Sequence, residues 1–330
     1  MYIGLCGVAS HGKSIYRLQA FPASLGTDIK EAEAEAVFWL LRIRRLPKLE
    51  VQDRLWNLVL SLPMIGFLLV FFILPFAFIF LYAFGFYNSS YQWTGNFSLA
   101  NFDSVLTEST LDLFTKTASV AGIVTAMSLL FGYPVAYYLA SQPTERREFL
   151  LMLLIIPFWT SFLLRTFALM TIFHENGLMN QLLESIGLSR DPVFRTRNLL
   201  SVIWAETYTF MPFMVLPLYA TLERMSRSSI EASYLLGAGR VQTFLRVILP
   251  LSLPGIMAGT LLVFIISMGE LVIPSLTGGV QYGYLLGNAI YERAGQSPGP
   301  MAALSLVFMV IVTVTAFAYL RIAGREGLRL

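Results

Sequence analysis

Six apolar stretches, each long enough to cross a bilayer, limit what this chain can fold into. A helix rises about 1.5 Å per residue through a hydrocarbon layer about 30 Å thick, so about 20 mostly apolar residues make one span. Leu58 to Tyr82, Thr117 to Ala140 and Met301 to Leu320 carry no charge. Phe149 to Phe173 contains only Arg165, Leu199 to Thr221 only Glu206, and Leu251 to Ser275 only Glu270, near its far end. Within lipid each stretch must satisfy its own backbone hydrogen bonds, which leaves the helix. The expected fold is therefore an all-α membrane protein with six transmembrane helices. Composition agrees: 56% of the 330 residues are apolar and 13% charged, against roughly a quarter charged in soluble domains. A soluble enzyme and a disordered chain are both excluded.

Six spans place both termini on one side, and the Lys and Arg distribution says which. Segments 1–56, 141–148, 222–250 and 321–330 hold 17 of the 23 basic residues, so both ends are expected in the cytoplasm. The chain then divides into an N-terminal extension (1–56), a six-span unit (57–321) with a cytoplasmic loop at 222–250, and a short tail (322–330). External loops are expected at about 83–111, 174–198 and 276–300. The first holds Tyr87, Tyr91 and Trp93, with sequons at Asn88 and Asn96 read as ordinary polar loop residues.

Several chemistries find no support. The net charge of +3 comes without a block of like charges, so no nucleic-acid partner is indicated. Cys6 stands alone and the only histidines are His11 and His174, which excludes a disulfide framework, a cysteine-built zinc site and a zinc-protease helix; no metal and no catalytic residue is expected. Residues 1–36 lack the apolar core of a secretory signal. Gly7, Gly12, Lys13 and Ser14 fit G-x-x-x-x-G-K-[ST], but such a loop needs a sheet to aim it and a second strand to supply an Asp for Mg²⁺, and the 43 or so residues before the first span show no strand ending in Asp. The match from Gly7 to Ser14 is read as chance. Ala36 to Leu46 instead interleaves Phe38, Trp39, Leu41 and Ile43 with Arg42, Arg44 and Arg45, as suits an interfacial helix against membrane lipid.

The cytoplasmic loop is too long to be a simple connection. Ser228 or Ser229 can cap a helix with Glu231 in its first turn. Tyr234, Leu235, Ala238, Val241, Phe244, Val247 and Ile248 recur at helical spacing, Gly237 and Gly239 permit a bend, and Pro250 and Pro254 restart the chain into the fifth span. From the pattern alone two readings stand: an element that sits in another protein's groove, or a surface helix covering its own bundle.

The same residues resemble a known family. Glu231-Ala232-Ser233, Gly237-Ala238, Phe244, Val247, Leu249-Pro250 and Pro254-Gly255-Ile256 are similar to the "EAA loop" of ABC importer permeases, with Ser233 in place of the second Ala. Ile156 to Phe162, Met211 to Pro217 and Gly269 to Pro274 resemble its spermidine/putrescine-type branch. The resemblance covers about Leu58 to Leu320. It implies a type I ABC importer permease fold in the bacterial inner membrane and a second, related permease subunit. It also implies two ATPase subunits that hold ATP and Mg²⁺, none being bound by this chain, and a periplasmic or lipid-anchored binding protein. Glu231 to Phe244 would be the coupling element, with Gly237 at its closest contact with the ATPase.

Arg165, Glu206 and Glu270 are costly inside a membrane and hence functional candidates. They line a translocation path for a cationic solute, or Arg165 pairs with an acid or with carbonyls as packing. Glu206 lies outside the branch's shared pattern and is the better candidate for selectivity. Trp159 and Tyr208 are candidates for stacking on an ammonium group, or are interface anchors. The alternative from another class is an ion-coupled secondary transporter using Glu206 and Glu270.

Overall fold

The computed structural model describes residues 61–327 apart from 89, 91, 190, 196, 197 and 279–283. The Gly7 to Ser14 motif and the interfacial helix read at 36–46 lie outside these residues. The described residues are helical, with one isolated antiparallel bridge between Tyr87 and Trp93.

Among the described residues five helices are long and apolar enough to cross a membrane: α1 (Ser61–Ala83), α2 (Glu108–Ser141), α6 (Leu199–Glu223), α8 (Arg240–Met268) and, at the C-terminal end, α10 (Pro298–Gly327). A sixth span exists if α3 (Thr144–Trp159) and α4 (Phe162–Ile172) count as one. Shorter helices are α5 (Leu178–Ser185), α7 (Arg227–Leu235) and α9 (Leu286–Ala294). The chain divides at Ile73: the described residues before it are the exposed first half of α1, and those from Leu74 onward form a helical bundle.

Two apolar runs depart from the sequence expectation of straight spans. The third, read as one helix from Phe149 to Phe173, is two helices at 92°. Residues Ile156–Trp159 tighten into a 3₁₀ turn containing Pro157, and Thr160 turns extended with ψ 154°. Proline supplies no N–H to the preceding turn, and the Thr160 hydroxyl donates to the Pro157 carbonyl at 2.7 Å, satisfying an acceptor at the bend. The fifth run, read as 251–275, stops at Met268, and α8 instead begins early, at Arg240, running through a π-helical turn at Phe244–Ile248.

Helix α6 is the centre of the bundle: 61% of its apolar window is buried, against 28% for α2 and α8. Lipid offers no hydrophobic drive between helices, so packing contacts and small residues decide how closely they approach. Met214 of α6, fully buried, fills the space left by Gly132 of α2 and Gly259 of α8. A Cβ at Gly132 would stand 3.1 Å from Met214 Cγ, and one at Gly259 2.8 Å from its Sδ. Val124, Val215, Leu218 and Val263 complete this core. A second cluster gathers Ala83, Phe114, Leu286, Ala303 and Leu304 where α9 and α10 meet the ends of α1 and α2. There Thr117 Oγ1 accepts from the Leu286 N–H at 3.1 Å, and Lys116 donates to the Tyr284 carbonyl at 3.3 Å.

Candidate functional site

The 222–250 segment folds as a helical hairpin. Helix α7 ends at Leu235, and Gly237 takes φ +83°. The Ala238 N–H bonds to the Ser233 carbonyl and the Gly237 N–H to the Tyr234 carbonyl, both at 3.0 Å. This pair of bonds closes a helix end through a left-handed residue, a conformation glycine adopts without a side-chain penalty. Nothing lies within 4 Å of a Cβ built on Gly237 or Gly239, so the bend faces open space. Chain direction resumes in α8 from Arg240.

One buried contact braces the hairpin. Ser233, the residue departing from the family pattern, places its hydroxyl 2.7 Å from that of Thr243, and both side chains are buried. Ala232 and Glu231 are exposed beside it. The tip is apolar and unsupported: Leu235 and Leu236 are each 89% exposed and Val241 72%. Phe244, by contrast, turns inward. Its ring meets Tyr133 edge-on at 5.6 Å and Tyr137 at 6.5 Å, tying the hairpin to α2. Tyr133 and Ser252 share a hydroxyl bond at 3.0 Å two residues beyond Pro250, which opens the second half of α8. Between hairpin and bundle lies an open cavity of about 360 Å³ lined by Tyr137, Arg147, Glu223, Ile230, Glu231 and Ile248. The Arg147–Glu223 ion pair, 3.0 Å, stands at its wall.

The structure separates the three intramembrane charges instead of pairing them. Arg165 lies over the Phe158 ring at 4.5 Å, with Nε and Nη1 buried and lacking a hydrogen-bond partner. It reaches neither acid, so the packing pair considered from sequence does not form. Glu270 sits in the break after α8, where Oε1 accepts from the Val272 N–H at 2.8 Å and the Ile273 N–H at 3.1 Å, capping the next helical turn. Glu206 is fully buried in α6, and Oε2 accepts from Ser267 Oγ at 2.5 Å. Trp159 is 81% exposed at the α3–α4 bend, and Tyr208 is 40% exposed on α6. Thr243, Ser267 and Tyr133 were not singled out from sequence; their partners lie 10, 61 and 119 residues away, beyond any local spacing signal.

A bundle of membrane-length helices around a central α6, carrying a braced helical hairpin, defines a polytopic membrane protein. Residues 128–326 match the model of the family described as "Binding-protein-dependent transport system inner membrane component". The chain belongs to that family and is thus an inner-membrane permease component. It is 38% identical over 194 residues to the spermidine/putrescine transport system permease protein PotB of Escherichia coli K12, covering 59% of this chain and 70% of that one. It is 36% identical to the protein of the same name from Haemophilus influenzae, covering 62% and 72%. The fold is also that of a bacterial ABC transporter involved in the import of the acidic polysaccharide alginate, with TM-score 0.66 and 20% identity over 85% of this chain and 99% of that one.

Proposed function

We propose that this chain forms half of the membrane path of an ATP-driven importer for a small cationic solute of the polyamine class. The observation that carries the reading is the hairpin tip. Leu235, Leu236 and Val241 stand exposed on a turn braced from within by Ser233 and Thr243, a preorganised apolar knob of the kind a partner groove buries. The partner is an ATPase subunit, one of two, which binds ATP and Mg²⁺; closure of the ATPase pair moves the hairpin, and Phe244 passes that movement to α2. The basic residues gathered beside the hairpin end support placing it, with both termini, in the cytoplasm. A related second permease subunit completes the path, and a binding protein delivers solute at the opposite end. The names of the PotB relatives support the polyamine class.

The ion-coupled alternative is not favoured, since it gives the hairpin no partner. Purification in mild detergent followed by mass spectrometry tests the assembly: an ATPase and a second permease are expected to co-purify. Recovery of the chain alone, under conditions that preserve other such complexes, would remove the basis for the docking role. Uptake of labelled spermidine into proteoliposomes holding the whole complex tests the solute class.

A further inference from the structure

Two polar atoms on one face of α6 are sealed in the bundle without a hydrogen-bond partner. Glu206 Oε1 is one; Thr209 Oγ1, three residues on, is the other. Residues three apart on a helix are neighbours, with Cβ atoms about 5–6 Å apart. Thr207, Thr166 and Thr221 each donate to the carbonyl four residues back, at 2.7, 3.0 and 3.0 Å, which is how a buried helical threonine ordinarily satisfies itself. Thr209 forgoes that bond. Among the described residues no cation answers the carboxyl either: the ion pair is Arg147–Glu223, and Arg165 lies over Phe158. Leaving such groups unanswered costs the full penalty of taking them out of water, more for a charge.

We infer that Glu206 and Thr209 form a buried subsite for a primary ammonium group. An alkylammonium brings one positive charge and three donors, so a single group can serve Glu206 Oε1 and Thr209 Oγ1 together. The way in lies along the seam between α6 and α8. Near the hairpin end that seam is closed tightly: a Cβ at Gly255 would stand 2.6 Å from Thr221 Oγ1, and one at Gly259 2.8 Å from Met214 Sδ. Over the carboxyl it is held by the Ser267 hydroxyl, in the last turn of α8, directly before the Gly269–Leu271 break. The seam therefore opens at the break, where the Ser267 bond to Oε2 yields and lets an ammonium reach Oε1. This subsite rests on the polyamine reading above.

The test titrates spermidine by calorimetry into the assembled, detergent-solubilised transporter without its binding protein. Glu206→Gln is expected to weaken binding by at least about tenfold, and Thr209→Val by about threefold. Glu206→Asp, which keeps the charge, should recover part of the loss. Unchanged affinity in both Glu206→Gln and Thr209→Val overturns the subsite, as does absence of wild-type binding at millimolar spermidine while uptake proceeds. If Glu206→Gln does not assemble, Thr209→Val decides alone, and wild-type affinity in that variant overturns the site. Titration with sodium or potassium chloride separates the cation sources: saturable binding of either ion that excludes spermidine makes the ligand an inorganic cation and overturns the ammonium assignment. Failure of the wild-type complex to take up spermidine or putrescine in proteoliposomes, by contrast, defeats the polyamine reading itself.

Discussion

The hydroxyl of Ser233 lies 2.7 Å from that of Thr243, joining the two arms of the helical hairpin through a contact sealed from solvent. Removing one member leaves the other buried without a partner, at a cost of about 1–3 kcal/mol, whereas removing both can be close to neutral. Ser233→Ala should therefore lower the melting temperature of the solubilised chain, and adding Thr243→Val should restore much of it. Two substitutions whose effects simply add would show that the hydroxyls are independent.

Gly237 is held at φ +83° with no neighbour within 4 Å of its Cβ position, so substitution there is opposed by the backbone alone. Gly237→Val should loosen the turn, seen as faster amide exchange at 236–238, while Gly237→Asn, which tolerates the left-handed region, should preserve it. Gly237→Asp should keep the turn and membrane insertion yet abolish transport, because it sets a charge on the proposed docking surface. Wild-type uptake by Gly237→Asp would count against docking at this turn.

Phe244 joins the hairpin to α2 by edge-on contacts with Tyr133 and Tyr137. Truncation of a packed phenylalanine costs about 3 kcal/mol at the lower end of its range, and Phe244→Leu should cost less. In the assembled transporter Phe244→Ala should leave ATP hydrolysis no longer stimulated by loaded binding protein. Retained stimulation would place the transmission elsewhere.

Met214 fills the gap between Gly132 and Gly259. Gly259→Leu drives a side chain into that space and should destabilise by about 1–3 kcal/mol, read as a lower melting temperature. Met214→Ala in the same chain should recover part of the loss. No recovery would mean that α8 meets α6 elsewhere.

The apolar runs were legible because lipid demands length and hydrophobicity whatever the packing. Their interruptions were not. Pro134, Pro212 and Pro217 remain inside helices, while Pro157 accompanies a 92° bend, so proline alone does not announce a break when neighbouring helices re-satisfy freed backbone groups. Glu270 as a helix cap carried little signal, since caps favour Ser, Thr, Asp and Asn. At the hairpin, Gly237 was legible as a bend from its residue type. Ser233 was read only as a departure from the family pattern, since its role appears once the turn brings Thr243 alongside, and Phe244, read as part of the coupling element, proves to face the bundle.

Helix α2 runs 34 residues without interruption, about 50 Å at the α-helical rise, against a hydrocarbon layer of about 30 Å. It is pinned near its start by Thr117 to Leu286 and, toward its other end, by Tyr133 and Tyr137 to Phe244. A rod longer than the layer it crosses, gripped near both ends, behaves as a lever. If the hairpin moves as proposed, a push on Phe244 is carried along this rod and read as a tilt beside Thr117.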